Sequence, residues 1–118
     1  MNTPDARPLV AVVCRVPLVS EALKGAFDGI ARVLRLPAGA PDLPGLVRSL
    51  GADALVVDSA AAVEVLAEGA SVPLVHLDLR GRRVRLLRGG EWSETTDDSI
   101  PSIRNLLVSA LIGKEPVA

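Results

Sequence analysis

The order of apolar segments is the feature that most restricts how this chain can fold. Continuous runs rich in β-branched residues, typical of strands buried on both faces of a sheet, occupy Pro8 to Val13, Ala54 to Val57 and Val72 to Leu79. Segments with apolar residues at helical spacing separate them. The alternating segment Ala31 to Leu36 adds a short edge strand, so we expect an α/β fold with a mostly parallel sheet.

Boundary residues support this division into elements. Pro17 opens the first helix, Asp42 caps the second, and a small third helix spans Ser59 to Glu68. A last helix begins after Asp98 or Ser99. We therefore expect helices on both faces of the sheet, which is a three-layer sandwich.

The alternation changes after the fourth strand. Arg80-Gly81-Arg82 forms a turn, and Val84 and Leu86 lie on one side of a fifth strand that Gly89-Gly90 ends. No helix fits between the fourth and fifth strands. A parallel crossover needs about a dozen residues or more, so we expect the fifth strand to be antiparallel.

Composition excludes several classes of protein. The 118 residues form one domain over 1–118, with 1–7 and 114–118 as flexible ends. A net charge of -1 gives no general attraction to nucleic acid or anionic lipid, and one Cys with one His supplies neither a disulfide nor the usual zinc ligands. We find no signal peptide pattern and no apolar segment of membrane-spanning length, so we expect a cytoplasmic protein without membrane contact.

Two motifs resemble the receiver domain of two-component response regulators. Val13 to Val19 (VCRVPLV) is similar to the family's entry into its first helix, and Ala52 to Asp58 (ADALVVD) is similar to its phospho-acceptor segment. The resemblance runs from Pro8 to Leu79 and implies a five-stranded sheet in the order 2-1-3-4-5. It also implies that Asp58 occupies the phospho-acceptor position, at the carboxyl end of the third strand.

The chain departs from that family at the residues that carry its chemistry. The acidic pair that holds Mg²⁺ is replaced by Cys14 and Arg15, the Ser or Thr that ends the fourth strand is Asp78, and no Lys-Pro follows the fifth strand. Mg²⁺ needs several oxygen ligands, so we expect no metal and no other cofactor. Arg15 is expected to fill the place of the cation and to pair with Asp58 or Asp78.

A cluster of arginines gives the hairpin a strong local charge. One interpretation of these arginines is a binding patch for nucleic acid or phosphate. The other is a solvated sheet edge that resists aggregation. We favour the solvated edge, because Trp92 is the only aromatic residue nearby. Trp92 is expected to anchor the end of the fifth strand. The arginines are Arg80, Arg82, Arg83, Arg85 and Arg88.

We therefore expect a non-enzymatic, atypical receiver-like module that acts by protein contacts, independently of phosphorylation. We expect either a homodimer or a complex with another signalling protein, formed through the fourth and fifth strands and the last helix, with Leu107 and Leu111 on the contact surface. Acidic residues of the partner would face the arginines; they are Glu91, Glu94, Asp97 and Asp98. The alternatives are a receiver phosphorylated on Asp58 and a nucleic-acid-binding protein that uses the hairpin 80–88.

Overall fold

The computed structural model of the chain describes residues 7–37, 39, 41–68 and 72–112. The described residues form an α/β fold with a mixed sheet. The strands are β1 (Leu9–Val13), β2 (Arg32–Leu36), β3 (Ala54–Val57), β4 (Leu74–Asp78), β5 (Arg83–Arg88) and β6 (Glu91–Thr95). The helices are α1 (Pro17–Ala26), α2 (Leu43–Leu50), α3 (Ala60–Ala67) and α4 (Ile100–Ile112). Residues 1–6 and 114–118 lie outside the described part, so the expectation of flexible ends there stays a prediction.

The sheet has two halves with different strand directions. β2, β1, β3 and β4 are parallel neighbours, whereas β4, β5 and β6 pair in antiparallel fashion. Only the turn Leu79–Arg82 separates β4 from β5, and this is too short for a helix that would carry the chain back across the sheet. The antiparallel direction of the fifth strand is thus confirmed.

The predicted strand count and order need a correction. The sheet has six strands in the order β2-β1-β3-β4-β5-β6, so the expected order ends one strand too early. Gly89 and Gly90, which we interpreted as the end of a strand, have φ angles of 59° and 82°. Two positive φ angles are the geometry of a type I′ turn, which matches the twist of the flanking strands and returns the chain as β6.

Helices cover both faces of the sheet and bury two apolar clusters. α1 and α4 pack on one face, and α2 and α3 pack on the other. The first cluster includes Val10, Val12, Leu23, Phe27, Val56, Val75, Val84, Ile103 and Leu107. The second includes Ala11, Val13, Leu43, Val47, Leu55, Val57, Val63, Leu66, Leu74 and Leu87. Alternate residues of each central strand therefore enter opposite clusters, which explains the continuous apolar runs of the sequence.

Side-chain caps hold the helix starts where the sequence predicted them. The Asp42 carboxylate accepts a hydrogen bond from the Gly45 N–H at 3.2 Å, and the Ser59 hydroxyl accepts one from the Ala62 N–H at 3.4 Å. Ser99 rather than Asp98 caps α4, because its hydroxyl accepts the Ser102 N–H at 3.3 Å. Among the described helices, none has the length and apolar character needed to cross a bilayer.

We predict that the β5–β6 turn tolerates only residues that adopt a positive φ. Gly90→Val should lower the free energy of unfolding by about 1–2 kcal/mol, because a β-branched residue is strained there. Gly25→Ala is the matched control: a Cβ at Gly25 meets nothing within 4 Å, so alanine in helix α1 should raise that free energy by up to about 1 kcal/mol. Urea unfolding followed by circular dichroism measures both, and equal effects would contradict the turn assignment.

Candidate functional site

The loops after β1 and β3 meet at the carboxyl edge of the sheet, where they join Asp58 to Arg15. β1 and β3 are parallel neighbours, with Val13 opposite Val57, so the residues that follow each strand lie side by side. The backbone N–H of Arg15 donates to both carboxylate oxygens of Asp58, at 3.0 Å each. The predicted proximity is therefore present, but the main chain of Arg15 provides the contact.

The expected ion pair of the Arg15 side chain does not form. Among the ion pairs of the described residues, none joins the Arg15 guanidinium to Asp58 or Asp78. Arg15 is an exposed residue, and its contact with Asp58 comes from the main chain. A carboxylate at a strand end can accept its hydrogen bonds from a neighbouring backbone N–H, and the Asp58 carboxylate accepts them from Arg15.

Cys14 lies beside this pair and is an apolar neighbour for it. Its side chain is buried in the cluster under α1 and α4. Burial raises the pKa of the thiol to about 12, with the Asp58 charge adding to the effect and Arg35 opposing it. Cys14 is therefore a neutral thiol, and a hard cation such as Mg²⁺ finds no oxygen ligand on it.

Asp78 closes the turn between β4 and β5. Its carboxylate accepts the Gly81 N–H at 2.9 Å and lies 3.5 Å from a guanidinium nitrogen of Arg83. These contacts lower its pKa, the Gly81 N–H most and Arg83 next. A Cβ on Gly81 would lie 2.5 Å from an Asp78 oxygen, so a larger residue there would require the Asp78 side chain to shift. No group of three metal-ligating side chains occurs within the described ranges.

A row of side chains crosses β4, β5 and β6 on the α2/α3 side of the sheet. His76 lies opposite Arg85, and Arg85 lies opposite Glu94. An Arg85 guanidinium nitrogen is 2.8 Å from the His76 Nδ1; since a guanidinium only donates, Nδ1 accepts and the imidazole is neutral. The same guanidinium lies 4.6 Å from the centre of the Trp92 ring, in a cation–π contact. The contact between His76 and Arg85 is thus an interstrand hydrogen bond between β4 and β5.

Acidic residues of the same chain pair with two of the five arginines of the cluster. Arg82 pairs with Asp98 at 3.5 Å, and Arg83 pairs with Asp78 at 3.5 Å and with Glu94 at 3.6 Å. Arg88 lies opposite Glu91 in the β5–β6 ladder, and Arg80 is exposed in the turn. We expected Glu94 and Asp98 from a partner chain; because β6 folds back beside β5, Glu94 and Asp98 of the same chain reach Arg83 and Arg82. These pairs reduce the free positive charge, which weakens the nucleic-acid interpretation.

The contact surface predicted for the last helix also needs a correction. Leu107 is fully buried, and Leu111 is partly buried against the same cluster. Both belong to the apolar face that holds α4 on the sheet, so Leu107 cannot contribute to a surface. Trp92 lies in β6 rather than at the end of β5, and it keeps 41% of its surface exposed.

No crossover helix joins β4 to β5, and much of the β5–β6 surface on the α2/α3 side stays exposed. We call it the open face; it consists of the α2/α3-side residues of β5 and β6. Trp92 stands opposite Leu87 at its centre. Its members are the exposed Arg83, Trp92 and Glu94, the partly buried Arg85, and Leu87, which is buried in the second cluster. We did not predict this surface from the sequence, although the Gly89-Gly90 pair between alternating segments is itself a hairpin signature that would have located it.

Comparisons with known proteins found no matching family model, no matching curated protein and no matching solved structure.

We predict that Asp58 stabilises the fold through the Arg15 main chain. Asp58→Ala should lower the free energy of unfolding by about 1 kcal/mol, because a charge-assisted hydrogen bond is lost. Arg15→Ala should change it by less than about 0.5 kcal/mol, because the N–H remains. Chemical denaturation measures the free energy of unfolding of both variants. Equal losses in the two would show that the Arg15 side chain, and not its N–H, provides the contact.

We predict a loss of stability on mild acidification that depends on His76. Burial first, and the Arg85 charge second, lower the pKa of folded His76 below 6.5. The unfolded chain therefore binds a proton before the folded one, and the free energy of unfolding falls as the pH drops from about 7.5 to about 5.5. His76→Gln, which keeps an acceptor for Arg85, should flatten this slope. Urea titrations across that range measure it, and an unchanged slope would contradict the assignment.

Proposed function

We propose that this chain is a receiver-like regulatory module that binds another protein and works without phosphorylation. The observation that carries the proposal is the state of Asp58, whose two oxygens accept the Arg15 N–H beside a neutral thiol. The β-α alternation through β4 and the position of Asp58 at the end of β3 support the likeness to receivers.

The chemistry around Asp58 opposes phosphoryl transfer. That reaction needs a cation to neutralise charge on the transferring group, and Mg²⁺ takes its ligands from oxygens. At the two positions where the resemblance implies carboxylates, this chain has the buried Cys14 thiol and Arg15. Each of these features supports a structural role for Asp58.

The antiparallel half of the sheet supports a role in protein binding. β6 ends the sheet, and its residues Glu91 to Glu94 are exposed. An edge strand offers unpaired N–H and C=O groups to another chain. Next to it, the open face presents the half-exposed Trp92 ring, a residue type common at the centres of interfaces. We propose that the β6 edge and the open face together form the binding surface.

We predict that the protein gains no phosphoryl group from a small phosphodonor. The experiment is intact-mass analysis after incubation with acetyl phosphate and Mg²⁺, with Asp58→Ala as the control and a receiver known to accept the group treated alongside. An unchanged mass is expected. A gain of one phosphoryl group that disappears in Asp58→Ala would overturn phosphorylation independence.

A further inference from the structure

The outer edge of β6 has backbone groups free for pairing. The two-residue turn at Gly89-Gly90 makes Arg88 and Glu91 a hydrogen-bonded pair. Since such pairs alternate along an antiparallel ladder, Glu91, Ser93 and Thr95 direct their backbone groups toward β5. Trp92 and Glu94 consequently direct theirs outward, and no other described strand pairs with that side.

We propose that β6 pairs antiparallel with β6 of a second copy of this chain, with Ser93 on the two-fold axis. Trp92 of each copy then exchanges backbone hydrogen bonds with Glu94 of the other, and the two sheets become one continuous sheet. This inference rests on the proposed function, because it names the partner for the same surface.

The register follows from strand length and charge. Pairing about Ser93 uses every residue of Glu91–Thr95. Shifting the axis to Glu94 shortens the overlap and sets the two Glu94 side chains directly opposite each other, which is unfavourable. Shifting it to Trp92 shortens the overlap equally. Sliding one strand past the other by a single residue would place the two open faces on opposite sides of the joined sheet.

The open face is complementary to itself in this register. Glu94 of the second copy arrives opposite Trp92, whose ring already lies under the Arg85 guanidinium. Arg85 thus gains a carboxylate from the partner across the ring. The two Trp92 side chains become diagonal neighbours, at roughly 7–8 Å between backbones, which aromatic rings can bridge.

Features of β6 favour a second copy over a foreign strand. The strand has no Pro and no Lys, the residues that commonly block edge pairing, and its ladder to β5 is continuous without a bulge. Its two glutamates flank Trp92, while arginines lie behind it on β5. A two-fold axis brings the two β6 strands together at the centre, with the arginines of β5 behind each of them. It places no glutamate directly opposite another.

The test is disulfide trapping in the full chain. Ser93→Cys places two cysteines on the axis as a non-hydrogen-bonded pair, at about 4.5 Å between Cα atoms, which a disulfide can bridge. Oxidised glutathione supplies the oxidising equivalents and is itself reduced. The buried Cys14 gives no background. Glu94→Cys, one residue along, is the matched control because it faces Trp92 of the partner. We expect a covalent dimer at least ten times faster from Ser93→Cys.

A charge-matched pair of variants tests the interface by another measurement. Trp92→Glu and Trp92→Lys both remove the ring, but only Trp92→Glu faces the partner's Glu94 with a like charge. In sedimentation equilibrium, the dimer dissociation constant of Trp92→Glu should exceed that of Trp92→Lys at least tenfold, with circular dichroism confirming that both fold.

The outcomes separate this inference from the proposed function. A monomer at every concentration, without trapping of Ser93→Cys, would overturn the dimer. It would not affect phosphorylation independence, which the mass measurement with acetyl phosphate tests separately. Equal trapping at Ser93 and Glu94 would overturn the register. A foreign peptide that pairs with β6 of a monomeric protein would likewise overturn self-association.

Discussion

The tight turn that Asp78 closes between β4 and β5 is the constraint on which the rest of this structure depends. Its carboxylate accepts the Gly81 N–H and pairs with Arg83. A turn of this length reverses the chain instead of carrying it across the sheet, so β5 is antiparallel and no crossover helix lies between β4 and β5. That single reversal creates the open face and brings Arg85 against His76.

At the carboxyl edge of the sheet, residues at the positions of the receiver reaction site make contacts that hold the loops together. In the family that the sequence resembles, this edge implies three carboxylates and a cation. Here Asp58, which follows β3, accepts hydrogen bonds from the backbone N–H of Arg15, which follows the neighbouring strand β1. Cys14 is a neutral thiol in the core. A carboxylate that accepts a backbone N–H joins the two loops without requiring a metal.

Most of the fold could be predicted from the sequence, whereas much of the site could not. Helix starts at Pro17 and Ser59 and the antiparallel β5 follow from local chemistry, and all are present. β6 was missed because its alternating residues are mostly polar and exposed, so the period-two pattern had little hydrophobic contrast. The backbone contact of Arg15 could not be predicted, because residue type indicates what a side chain can bind but not which main-chain N–H is nearest.

The consecutive order of β4, β5 and β6 also has a consequence for how the chain reaches its native state. β4, β5 and β6 follow one another with short turns, so their contacts join residues close in sequence, and their opposite charges already lie on adjacent strands. The parallel half instead must bring together strands separated by whole helices, such as β1 and β3. Low contact order favours rapid formation, so we expect the carboxyl-terminal meander to form early and to serve as the template on which β3 and then β1 assemble.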